Sequence, residues 1–148
     1  MSSSHPPVVF LHPGIVVDSA RAVRVGLVQP VTGNVDMNQH PAQAINHLCE
    51  RLGAVIVCTA SRAPYDARDQ LLMDGVRGRF AADWRTEWSM ADRAAAIVAW
   101  HLAHGSPRAV VIERPGVDVP RMAGISVPDR STLTVAAVQQ LLAAVPDA

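Results

Sequence analysis

Three short runs of uninterrupted apolar, largely β-branched residues dominate the chain: Val8-Val9-Phe10-Leu11, Ala54-Val55-Ile56-Val57-Cys58 and Ala109-Val110-Val111-Ile112. A strand with one wet face alternates apolar with polar, whereas a run with no polar member has both faces covered, as inside a parallel sheet. Between these runs the apolar residues recur at helical spacing. Pro41 suits a first helical position, and Ala44, Ile45, Leu48 and Leu52 follow until Gly53 ends the pattern. Asp66 to Asp74 reads as a short helix closed by Gly75. Ser89 with Asp92 resembles a capping box ahead of Ala95, Ile97, Val98 and Leu102, which run to Gly105. Ile125-Ser126-Val127 is a marginal further strand, and Thr134 caps a last helix carrying Val135, Val138, Leu141 and Leu142.

Strands alternating with helices predict a three-layer, Rossmann-like α/β domain spanning residues 1–148, with a central parallel sheet built on strands 8–12, 54–58 and 109–112. Such sheets bind ligands beyond the carboxyl ends of their strands. Residues 20–39 form a longer connection than the roughly 4–6 residues usual between elements. There Val23, Val25 and Leu27 alternate with Arg24 and Gly26 ahead of Thr32-Gly33-Asn34, so the stretch reads as a small hairpin or flap over the site.

Thirteen arginines and no lysine balance ten aspartates and three glutamates, leaving a formal charge of zero. No cationic excess exists to hold a nucleic-acid backbone or an anionic membrane. No apolar run reaches the roughly 20 residues of a spanning helix, and Met1 to Pro7 lacks the halves of a signal peptide, so the expected location is the cytoplasm. Cys49 and Cys58, with no CxxC or Cys/His pair, indicate neither a disulfide framework nor zinc.

The run Phe10-Leu11-His12-Pro13-Gly14-Ile15-Val16-Val17-Asp18-Ser19 resembles the opening motif of the haloacid dehalogenase (HAD) superfamily, a strand leading into Asp-x-Asp-Gly-(Thr/Val)-Leu-x-Asp-Ser. Val55-Ile56-Val57-Cys58-Thr59-Ala60-Ser61-Arg62 is similar to its second motif, in the Ser-Ser-Trp-Arg form of small capless members. Arg93 stands where the family has its basic third-motif residue. Val110-Val111-Ile112-Glu113-Arg114 resembles the fourth motif, and Leu133-Thr134 the Gly-Leu-Thr of the capless domains. The resemblance implies that the first strand lies between the second-motif and fourth-motif strands, and that Asp18 ties down the flap.

This sequence departs from the family at the residues that do chemistry. Aligned without a gap, the nucleophilic aspartate becomes Leu11 and the acid/base aspartate Pro13; with one deletion, His12 takes the nucleophile's place. Either register removes both carboxylates that attack phosphorus, hold Mg²⁺ and shuttle the proton. Arg114 occupies the place of a second fourth-motif acid, so neither a metal site nor another cofactor is expected.

The candidate site residues are therefore His12 and Glu113 as acid or base, and Thr59, Ser61, Arg62 and Arg93 as an anion clamp of hydroxyls, amides and guanidinium. Each has a structural alternative. For His12 it is a hydrogen bond to a loop, for Arg62 a pair with Asp66, and for Arg93 a solvated face one turn inside its helix. For Glu113 and Asp118 it is a loop network with Arg114 and Arg121, and for Trp84 and Trp88 the choices are a ligand pocket, a subunit contact or, by default, the core.

Three classes of function follow. The simplest is a HAD-fold protein without metal-dependent phosphatase chemistry that binds an unidentified small molecule or anion, or a protein. The second is a metal-independent enzyme, in keeping with the arginine- and alanine-rich composition of GC-rich bacteria, using His12, Asp18, Thr59, Arg62 or Glu113. The third is a residual phosphohydrolase with His12 as nucleophile. No nucleic acid or membrane is expected as a partner, and a homo-oligomer stays open.

Overall fold

The computed structural model describes residues 5–16, 41–59, 67–87, 91–128 and 132–145. In chain order the elements are β1 (Val8–Leu11), α1 (Pro41–Leu52), β2 (Val55–Cys58), α2 (Ala67–Met73), β3 (Arg79–Arg85), α3 (Arg93–Ala103), β4 (Ala109–Glu113), β5 (Ala123–Ser126) and α4 (Val135–Ala144). The five strands form one parallel sheet in the order β3-β2-β1-β4-β5. The protein is thus an α/β fold of Rossmann-like form. The stretch expected to form a flap, residues 20–39, lies outside the described residues.

The three apolar runs form the three central strands. Every residue of β1 is completely buried, because odd and even positions face different layers. Val9 and Leu11 join Ile56, Val110 and Ile112 against Ile45 and Leu48 of α1, Leu71 of α2 and Val138 of α4. Val8 and Phe10 join Val57 and Val111 against Ile97 and Trp100 of α3. With helices on both faces, no position of β1 can be polar at low cost.

One strand was not foreseen. β3 reads Arg-Phe-Ala-Ala-Asp-Trp-Arg and sits at the edge of the sheet, where only Ala81 is buried. An edge strand is free to carry charge, which also discourages pairing with another chain. Its Trp84 packs edge-on to Phe80, with the guanidiniums of Arg68 and Arg85 over its ring. β3 pairs with β2 through a register shift between Ile56 and Cys58.

The start of α3 also differs from expectation. Asp92 is itself the N-cap, its side chain accepting from Ala95 N, so Arg93 is the first helical residue and not one turn inside. Ser89 lies outside the described residues. Thr134 caps α4 as expected, accepting from Ala137 N.

Candidate functional site

The strand order creates a topological switch point. From β1 the chain builds outward through β2 to β3, then returns to lay β4 on the other side of β1 and continues to β5. At such a point the neighbouring connections leave in opposite directions and open a crevice at the carboxyl ends. Register decides what meets there. Leu11 lies level with Cys58 on one side and Ile112 on the other, so His12, Thr59 and Glu113 form the next row. Backbone bonds extend the ladders into that row, from His12 N to Ile112 O and from Thr59 N to Leu11 O, each 3.0 Å.

Glu113 organises the row. Its carboxylate is almost wholly buried, and both oxygens accept hydrogen bonds. Oε2 accepts from Thr59 Oγ1 at 2.6 Å and from Arg93 Nε at 3.1 Å, while Oε1 accepts from Arg114 N at 2.8 Å. Glu113 continues the strand face of Val111, toward the layer of α3, so the helix that begins at Arg93 delivers its guanidinium to the carboxylate. The structural alternative for Glu113 pairs it, together with Asp118, with Arg114 and Arg121. The fold gives it the Arg93 side chain and the Arg114 backbone. Arg93 engages Glu113 through Nε alone, and its two terminal amino groups make no hydrogen bond among the described residues.

His12 is held differently. After β1 the chain turns at once, with Ile15 N bonded to His12 O and Val16 N to Pro13 O. This turn aims the Gly14 amide at the ring, and Gly14 N donates to His12 Nδ1 at 3.0 Å. A Cβ on residue 14 would stand 2.8 Å from His12 Cε1, so the ring occupies space that only glycine leaves. A nitrogen that accepts an N–H bond carries no proton, which places the neutral ring's proton on Nε2. Burial lowers the His12 pKa from its ordinary 6.5; Glu113 pulls the other way, and Arg93 and Arg114 add to the lowering. The neutral ring therefore presents Nε2–H, a donor, and this tautomer lacks the Nε2 lone pair that a nucleophile or base would use.

Among the described residues the one carboxylate of the row, Glu113, stands with two guanidiniums, those of Arg93 and Arg114, whose charges also act on His12. The HAD resemblance implies Mg²⁺ here, and the described donors do not fit it. β1 ends in Leu11-His12-Pro13 with no carboxylate, Glu113 has both oxygens engaged, and two cations flank it. Among the described residues no three His, Cys, Asp or Glu side chains converge as metal ligands.

Of the residues singled out in the sequence, His12, Thr59, Arg93 and Glu113 come together, whereas Asp18, Ser61, Arg62 and Trp88 lie outside the described residues. The Gly14 amide was missed, although glycine two residues beyond a strand-end histidine was a usable sign. Cys49 and Cys58 are both buried thiols without a disulfide, and burial pushes each up to about 12. No described helix is long and apolar enough to cross a membrane. No protein-family model, curated protein or solved structure matches the chain, which stands on its geometry as a small α/β domain with an all-parallel five-stranded sheet.

Proposed function

We propose that the carboxyl ends of β1, β2 and β4 bind a small anionic molecule, on a HAD-like scaffold that has lost metal-dependent phosphoryl transfer. The observation that carries this reading is the bond from Gly14 N to His12 Nδ1, which makes the neutral His12 ring a donor beside the Arg93 guanidinium. Nε2–H of His12 and the terminal amino groups of Arg93, which have no hydrogen bond among the described residues, then leave donors at the same strand-end row, the chemistry that carboxylate and phosphate oxygens require. The central place of β1 between β2 and β4 agrees with the arrangement that the HAD resemblance implies. Glu113 serves as the buried anchor that positions Arg93 and Thr59. It is too fully hydrogen-bonded to act as a free base.

Titration of ¹⁵N-labelled protein with inorganic phosphate, and separately with acetate, tests the reading. Saturable shifts are expected at Gly14, Thr59 and Arg114 amides, and Arg93→Ala should weaken binding by roughly tenfold or more, as for a lost hydrogen bond to a charged group. Magnesium-dependent hydrolysis of p-nitrophenyl phosphate is expected to be absent. Robust turnover, or no saturable shift with either anion, would overturn the proposal.

A second reading keeps the same donor and makes the protein an enzyme. A neutral imidazole Nε2–H can polarise a substrate carbonyl without transferring a proton. The lock on Nδ1 favours this role over the acid/base role expected from sequence.

A further inference from the structure

Away from the strand-end row, a cleft of about 690 Å³ runs along α1 to the place where β2 and β3 begin. That volume is typical of small-molecule sites. Its walls have opposite character. On one side are Arg77 and Arg79, two residues apart at the start of the edge strand; on the other are Glu50 and Gly53, where α1 ends. Ala54 N caps the helix end by donating to Cys49 O at 3.0 Å, so the charge of that wall comes chiefly from the Glu50 carboxylate, with the partial negative charge of a helix end behind it.

These charges share one cleft without cancelling by contact. No ion pair joins the Glu50 carboxylate to Arg77 or Arg79 among the described residues, and neither guanidinium has another partner there. The two walls are linked by the side chain of Asn46, whose Nδ2 donates to Gly75 O at 2.9 Å and whose Oδ1 accepts from Arg77 N at 2.7 Å. Asn46 thus staples α1 to the segment that enters β3, fixing the gap before any ligand arrives. His47 also lines the cleft, and its buried Nε2 has no hydrogen-bond partner among the described residues.

We propose that this cleft binds a small zwitterion of the free α-amino acid class, with the carboxylate on Arg77 and Arg79 and the ammonium on Glu50 at the end of α1. A simple anion would leave the acidic wall unanswered, and a simple cation the basic one. Each guanidinium offers the carboxylate charge-assisted N–H donors, the stronger class of hydrogen bond. The site is separate from the strand-end row, so either can fail without the other.

The test is a ¹⁵N-HSQC titration of the full chain with each standard amino acid at millimolar concentration, repeated with the N-acetylated and the amidated form of any that bind. Saturable shifts are expected at Gly53, Ala54 and Gly78 for at least one free amino acid. Either blocked form should bind roughly tenfold or more weakly, the loss for one hydrogen bond to a charged group. Arg77→Ala with Arg79→Ala should cost at least as much. Glu50→Gln should bring the affinities of the free and N-acetylated forms together, and Arg51→Ala should change nothing. All these side chains are on the surface, and an otherwise unchanged spectrum confirms that each variant folds. Equal affinity for free and N-acetylated forms would overturn the zwitterion assignment, and no saturable shift with any amino acid would overturn the site.

Discussion

Replacing Glu113 by glutamine tests the strand-end row at its anchor, because the shape is kept while the bonding cannot be. The carboxylate accepts from Thr59 Oγ1, Arg93 Nε and Arg114 N. An amide has one accepting end. If its oxygen faces Arg114 N, its NH₂ faces Arg93 Nε–H, donor against donor, and Thr59 must rotate to accept. If the oxygen faces Thr59 and Arg93, the NH₂ meets the Arg114 amide instead. Either way one charge-assisted bond, worth about 1.5–3 kcal/mol, becomes a repulsive contact. Two effects reduce the cost: a buried charge is removed, and the Arg93 side chain, 26% exposed, can turn to water. The expected loss is about 2 kcal/mol, read as a lower urea midpoint at unchanged slope. A second readout is specific to the electrostatics. With the attraction of Glu113 gone and Arg93 and Arg114 still present, His12 should titrate lower still, followed by the NMR shift of its ring protons. A stability change within about 0.5 kcal/mol, or a rise in the His12 pKa, would refute this account of the row.

Three further outcomes are expected. Because the folded pKa of His12 lies below its ordinary 6.5, its contribution to stability is complete above that pH and declines as the pH falls, since the unfolded chain takes up the proton first. His12→Gln should accordingly flatten part of the acid-side loss in pH-dependent urea melts, and parallel curves would count against it. Cys49 and Cys58, with thiols pushed up to about 12, should resist iodoacetamide at neutral pH until the protein is unfolded in urea; rapid alkylation of native protein would contradict their burial. Gly124→Ala should destabilise by about 2 kcal/mol or more, because its Cβ would fall against the backbone oxygen of Val111 in the paired strand, and a melting temperature equal to the parent's would disprove that packing.

The central strands were legible because Val8 to Leu11 and their two counterparts admit no polar residue, and where such a run stops, the strand ends. His12, Thr59 and Glu113 were found for that reason. Their meeting in one row depends on a register that no single run discloses. The role of Arg93 was open because its partner lies 20 residues away and is reached only through the crossing of α3. β3 escaped notice because an edge strand obeys a weaker rule: half of it faces water, so Arg79, Asp83 and Arg85 look like loop. The Asn46 staple also left no trace in sequence, since its partners, Gly75 and Arg77, use only their backbones.

The position of β1 has a consequence for how the chain is made. Its second neighbour, β4, pairs Val8 with Ala109 and Leu11 with Ile112, so that ladder cannot form until about three quarters of the chain has left the ribosome. Until then the most apolar strand, Val-Val-Phe-Leu, stands at the rim of an unfinished sheet with one row of amides and carbonyls open. The centre of the finished molecule is thus an exposed edge for most of its synthesis. Arrival of β4 both closes that edge and brings Glu113 beside Thr59 and His12, so the crevice and a protected sheet appear in the same step.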